Sequence, residues 1–193
     1  MPLSAQGEAD SERIARAFAP VGFRAVISSD LVRARTLGEA LARLGGAPLA
    51  FERGLAEIQR GRWQGRPMAE LFAECGAEIA GFHADPWNYG EHGGETDRDV
   101  LARAWPVLER ALEGHGGPLA LTTHYNVIRV LVAHALGIAP AHSFRLRVDL
   151  GGATLLRDTP RGWVLARSNV RGPDAASRTP RASSPATGSA PGS

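Results

Sequence analysis

The stretch "LALTTHYNVIRVLVAHALG", residues 119 to 137, constrains the fold more than any other segment of the chain. Leu119 to Leu121 make a short apolar run that suits a buried strand, whereas Val127, Val130, Leu131 and Ala135 recur at helical spacing. Two periods this close together mean that a strand hands over directly to a helix, the repeating unit of a parallel α/β sheet. His124 stands at the junction. Side chains at the carboxyl ends of parallel strands meet helix N-termini, whose free N–H groups and dipole favour an anion.

The rest of the chain alternates in the same way. "SERIARAFA" reads as a helix and "FRAVIS", Phe23 to Ser28, as a short buried strand. In "SDLVRARTLGEALARLGG" Ser29 is expected to cap a helix whose apolar face is Leu31, Ala34, Leu37, Leu41 and Leu44 and which stops at Gly45–Gly46. "PLAFE" is a second short strand, and residues 54 to 66, with three Gly and no clean period, read as an irregular loop. Helices are expected at about 67 to 81 and 97 to 113, the second with a kink at Pro106. An antiparallel pair, "SFRLRV" with "ATLLRD", and a further strand "GWVLAR" close the ordered part. From Gly172 the chain is a mixture of Pro, Ser, Ala, Gly and Thr with no large apolar residue, so 172–193 is expected to be a disordered tail behind a domain at 1–171.

A chain of 193 residues with 44% hydrophobic content can bury one core. All 22 basic residues are Arg, yet the net charge is only +2 and no basic block is interleaved with aromatics, which argues against a nucleic-acid partner. A single cysteine, Cys75, excludes an internal disulfide and fits a reducing compartment. No signal peptide and no apolar run of the roughly 18 residues that a membrane span needs is present, so the expectation is a soluble cytoplasmic protein without a membrane partner.

Taken singly, the chemistry-bearing residues have ordinary explanations. A His at a strand end packs and hydrogen-bonds, Arg33 begins a helix with a solvated face, and Glu57 sits in a Gly-rich loop beside Trp63. "GGET", Gly93 to Thr96, makes a turn and a helix cap ahead of Asp97 and Asp99. None of the His, Asp or Glu residues has metal-ligand spacing, so neither metal nor cofactor is implied.

In this order, however, the segments resemble the histidine phosphatase superfamily, branch 1, over roughly residues 2 to 169. "SSDLVRARTLGEAL" is similar to that family's Ser-x-Leu-x-Arg-Ala segment, and "LAEIQRGRWQG" to its Leu-x-Glu-x-x-x-Gly-x-x-x-Gly segment. "GGETDRDVLAR" resembles the Gly-Glu-Ser/Thr segment, and "TTHYNVIRVLVAHALG" the segment bearing the second catalytic histidine. "GGATLLRDTPRGWVLARSN" resembles the last two strands and a closing Asn169. The resemblance implies a three-layer α/β/α, phosphoglycerate mutase-like fold with a mostly parallel sheet. It makes Arg33 a phosphate-binding arginine, Glu57 the proton donor and His124 a catalytic, phosphate-contacting histidine, with a phosphorylated small molecule as ligand. Planar guanidinium donors and a protonated imidazole suit the charge that a transferring phosphoryl group spreads over its oxygens. The segment from Phe72 to Tyr89, with His83 and Trp87, is expected to shape the pocket roof.

In that family the attacking group is another histidine, in an Arg-His-Gly motif on the first strand. "MPLSAQGEADSERIARAF" resembles the family's segment just past that motif, and none of His83, His92, His115, His134 and His142 stands in the motif's context. The resemblance therefore implies a domain that lacks its first central strand. At a net cost of about 1 kcal/mol per hydrogen bond plus lost burial, the deficit would rival a typical stability of roughly 5–15 kcal/mol. The functional expectation is a phosphomonoester hydrolase of the phosphohistidine type, inactive because its nucleophile is absent. The alternatives are a non-catalytic relative that binds a phosphoester or a partner, mutase-type phosphoryl transfer, and a fragment without a stable fold.

Overall fold

The computed structural model describes residues 3–172, the side chain of Met68 excepted. Most of the expected tail therefore lies outside the described residues. Helix α1 spans Ala5–Phe18, capped by Ser4, whose Oγ accepts from the Gly7 amide at 3.2 Å. Strand β1 (Ala25–Ser28) leads to α2 (Val32–Gly45), and β2 (Leu49–Phe51) leads to two 3-10 turns, Arg53–Leu55 and Gly61–Trp63. Helices α3 (Met68–Ala84) and α4 (Asp97–Gly114) come next, then β3 (Leu119–Thr122) and α5 (Tyr125–Ala135). A 3-10 turn at Pro140–Arg145 and a hairpin, β4 (Ala153–Thr159) with β5 (Gly162–Val170), complete the described residues.

The strands β1, β2 and β3 form a parallel sheet in the order β2-β1-β3. Strand alternation divides its side chains between two cores. Ala25 and Ile27 of β1 join Leu119 and Leu121 of β3 against α4 and α5, whereas Val26 and Ala120 face Ala15 of α1 and Ala40 to Ala42 of α2. All four residues of β1 are buried, as expected for a parallel strand covered on both faces. The result is the expected three-layer α/β/α arrangement. The residues flanking the hairpin lie near α1, where a Cβ on Gly151 would meet Ile14 at 2.9 Å and one on Gly172 would meet Ala17 at 3.4 Å, and Trp163 of β5 is 6.4 Å from Trp105 of α4. Among the described residues β3 pairs only with β1, and β4 and β5 pair only with each other.

Four expectations are corrected. Helix α2 starts at Val32 with Leu31 as its N-cap, so Ser29 does not cap it; the Ser29 hydroxyl instead accepts from the Leu31 amide at 3.2 Å in the turn before the helix. Pro106 lies within α4 without interrupting it, and the break falls in α3, where Cys75 has non-helical angles. "SFRLRV" is not a strand: Ser143 to Arg145 are 3-10, with Ser143 Oγ donating to the Pro140 carbonyl, and "ATLLRD" pairs with "GWVLAR". Finally, Trp87 is not in the roof beside His83. It lies under Arg98, in a groove formed with Trp105 and His134.

Candidate functional site

Three strand-to-helix or strand-to-loop transitions bring the expected residues to the carboxyl edge of the sheet. Arg33 occupies the second position of α2 after β1, Glu57 lies in the loop after β2, and His124 is the N-cap residue of α5 after β3. Helix α2 approaches this edge closely because Gly38 has no side chain: a Cβ there would sit 2.8 Å from atoms of Ser28 and Thr122. Arg33 is exposed and has no carboxylate partner among the described residues. Glu57 is half-buried, its Oε1 accepting from the Ile58 amide at 3.0 Å.

His124 is only 6% exposed, and its Nε2 is 2.9 Å from the Ser29 hydroxyl. Ser29 is thus the side chain that touches the imidazole, a role its sequence position did not reveal because a Ser before a helix reads first as a cap. Burial, and then the positive charges of Arg33 and Arg103, push the His124 pKa down to about 4, with Asp30 opposing. The protonated imidazole expected from the sequence is therefore not the resting state at neutral pH.

The loop carrying Glu57 is pinned on both sides. Thr123, next to His124, donates its hydroxyl to the Leu55 carbonyl at 2.6 Å, and Arg103 of α4 donates to the Gly54 carbonyl at 2.7 Å. Arg103 also pairs with Glu95 at 2.7 Å, while Glu95 Oε2 accepts from the Gln59 amide. Glycines make this packing possible: a Cβ on Gly61, at φ +51°, would fall 2.1 Å from the His92 carbonyl oxygen, and one on Gly94 2.2 Å from that of Gln59. The Thr96 cap forms as expected, with a reciprocal bond from Asp99.

A second layer lies beneath. Arg129 of α5 is 0% exposed and donates to both carboxylate oxygens of Asp97, at 2.6 and 2.7 Å. It also donates to Ser143, and its guanidinium lies 4.1 Å from the centre of the Phe144 ring. Asn126, two residues after His124, accepts from Arg60 at 2.9 Å. Ser29 and Asp97 read in the sequence only as capping and first-turn residues, and Arg60 and Arg129 did not stand out; the one signal was the lone charge of Arg129 in the otherwise apolar run of "NVIRVLV". Asn169, at φ +54°, accepts from the Asp149 amide and donates to the Arg147 carbonyl, which ties the end of β5 to the segment before β4.

No group of three or more His, Cys, Asp or Glu residues suited to a metal occurs among the described residues. No helix among them is long and apolar enough to cross a membrane.

Comparison with known proteins agrees with this architecture. A glucosyl-3-phosphoglycerate phosphatase of Mycolicibacterium vanbaalenii is 29% identical over 155 residues, 76% of this chain and 64% of that protein. The Mycobacterium tuberculosis enzyme of the same name is 31% identical over 127 residues, 61% of this chain and 56% of that protein. The chain thus spans less than two thirds of the length of these curated relatives. A probable phosphoglycerate mutase of Salmonella arizonae is 27% identical over 152 residues, 76% of this chain and 69% of that protein. Among solved structures, a mycobacterial glucosyl-3-phosphoglycerate phosphatase in complex with inorganic phosphate superposes with a TM-score of 0.80 at 25% identity, covering 88% of this chain and 87% of the other. The sequence profile of the histidine phosphatase superfamily (branch 1) matches residues 1–171, and the chain belongs to that superfamily.

Proposed function

We propose that the edge formed by Arg33, Glu57 and His124 receives a phosphomonoester, and that the chain as it stands binds this ligand without turning it over. The observation that carries the reading is Arg33 itself: it is exposed at this edge with no carboxylate partner among the described residues, and its charge helps to keep the buried His124 neutral. A phosphate dianion would accept a planar pair of hydrogen bonds from Arg33 and one from His124 as the imidazole takes up a proton. Glu57 would give its proton to the departing ester oxygen.

Turnover by the family route needs an attacking imidazole. Its nitrogen bonds to phosphorus as the ester P–O bond breaks and the Glu57 proton passes to the leaving oxygen. Water then attacks phosphorus, loses a proton to Glu57 and releases the imidazole. The other histidines are poorly placed for this: His92 is buried beside Trp63, His134 packs on Trp105, His83 lies on Phe144, His115 caps the end of α4, and His142 is in a 3-10 turn. The one-sided pairing of β3 supports the reading that a strand carrying the attacking group belongs between β3 and β4. Hydrolysis is favoured over mutase chemistry by the similarity to the mycobacterial phosphatases.

Calorimetric titration with orthophosphate, together with assay of phosphate release from p-nitrophenyl phosphate, tests the proposal. Orthophosphate should bind, Arg33→Gln should weaken it by about 10- to 100-fold, matching roughly 1.5–3 kcal/mol for a charge-assisted contact, and no phosphate should be released. A chain extended at its N-terminus by an Arg-His-Gly strand should release phosphate. Failure to bind orthophosphate, or hydrolysis by the chain as it stands that His124→Gln abolishes, would overturn it.

A further inference from the structure

The two ring nitrogens of His124 have different surroundings. Nε2 faces Ser29, whose hydroxyl oxygen is 2.9 Å away. Nδ1 bonds to no group among the described residues, yet it is not one of the buried polar atoms left without a partner. It therefore keeps access to solvent, although the side chain as a whole is almost fully buried. Because His124 is the N-cap residue of α5, after β3, that access lies at the carboxyl edge of the sheet. Burial, with the charges of Arg33 and Arg103 outweighing Asp30, keeps the ring neutral at neutral pH, so it holds a single ring proton.

The hydrogen bonds of Ser29 decide which nitrogen holds it. Ser29 is 0% exposed, and its Oγ already accepts from the Leu31 amide at 3.2 Å. That bond leaves the hydroxyl proton to be placed, and the only acceptor that Oγ meets among the described residues is His124 Nε2. The neighbouring hydroxyl does not compete, because Ser28 Oγ donates to the Ser29 carbonyl at 2.8 Å. If Nε2 carried the proton and donated to Ser29, the serine proton would be buried without an acceptor, which destabilises a fold. The bare lone pair of Nδ1 would then face the edge, where it repels an oxyanion. With Ser29 donating to Nε2 both difficulties vanish, and the ring proton sits on Nδ1.

We infer that Ser29 is a positioning residue that holds neutral His124 in its Nδ1–H tautomer and so turns a standing N–H donor toward the phosphate edge. The inference rests on the phosphate-site reading of Arg33 and His124 for what that donor meets. Ser29 itself touches no ligand and acts only through the imidazole. The donor is present in the neutral ring, before any proton arrives. A proton taken up with the ligand adds to Nε2, where Ser29 turns its hydroxyl to accept it, and the N–H that faces the ligand stays the same.

Nitrogen NMR of the full chain labelled in its histidine rings tests this at neutral pH, because protonated and bare ring nitrogens of a neutral imidazole resonate far apart. The His124 signals are identified by their loss in His124→Gln. In the wild-type chain Nδ1 should be the protonated nitrogen and Nε2 the bare one. Ser29→Ala should bring in the Nε2–H tautomer and weaken orthophosphate binding by about threefold to tenfold, the worth of one hydrogen bond. Ser29→Thr, which keeps the hydroxyl, should retain the Nδ1–H tautomer and bind orthophosphate more tightly than Ser29→Ala. A protonated Nε2 in the neutral wild-type ring would overturn the inference whatever the variants do. So would weaker binding by Ser29→Ala with the tautomer unchanged, which is what a merely structural role would give. If the wild-type ring is Nδ1–H and orthophosphate does not bind, the phosphate-site reading fails and the hold of Ser29 on the ring stands.

Discussion

His124 shows how a residue's neighbours can reverse what its type suggests. Imidazole ordinarily titrates near 6.5, but burial beside Arg33 and Arg103 brings this one to about 4. Between those two values the unfolded chain binds a proton that the folded chain refuses, so stability rises with pH across this window and is lost as pH falls through it. His124 contributes at most one proton, which bounds its own share of the slope at about 1.4 kcal/mol per pH unit, and His83 and His92, also lowered by burial, add in the same direction. Urea denaturation from pH 4 to 6.5 should show this slope in the wild-type chain and a flatter one in His124→Gln. Arg33→Gln removes one of the causes, so NMR titration of the His124 ring should find its pKa raised toward the ordinary value.

At the scale of elements, the loop after β2 is the part that determines whether Glu57 has a fixed position. Gly61 sits at φ +51° with the His92 carbonyl where a side chain would begin. Gly61→Ala therefore meets both backbone strain and a backbone atom that cannot swing away. Strain alone costs about 1–3 kcal/mol. The change should destabilise the chain by at least that amount and speed hydrogen exchange at the Gln59 amide, which donates to Glu95. The same loop marks the boundary of what could be read from sequence. The placement of Arg33, Glu57 and His124 after β1, β2 and β3 was legible because each comes after a short apolar run. The contacts that hold them were not, because Ser29–His124 and Arg60–Asn126 join residues 95 and 66 positions apart. No local period encodes such pairs. The strand expected at "SFRLRV" failed for a related reason: alternation is visible there, but a strand needs a partner, and β4 takes β5 instead.

For the molecule as a whole, the Asp97–Arg129 pair is the tie among α4, α5 and the turn at Ser143. Both side chains are buried, at 2% and 0% exposure, so Asp97→Ala strands a guanidinium without a counter-charge. Removing one partner of a buried pair costs about 3–5 kcal/mol, and chemical denaturation should register a loss of that size. The three layers also impose an order of assembly. Strand β1 pairs with β3 from Ala25↔Leu119 to Ser28↔Thr122, and the contact from Ser29 to His124 closes the same gap. During synthesis, Arg33 and Glu57 therefore emerge long before the strand and the histidine that complete their edge. Until residue 124 has left the ribosome, β1 waits with one side unsatisfied. Such distant pairing makes for slow folding and a long exposure to association with other chains, so the demand on the cell's chaperones is set by the spacing of two strands of four residues each.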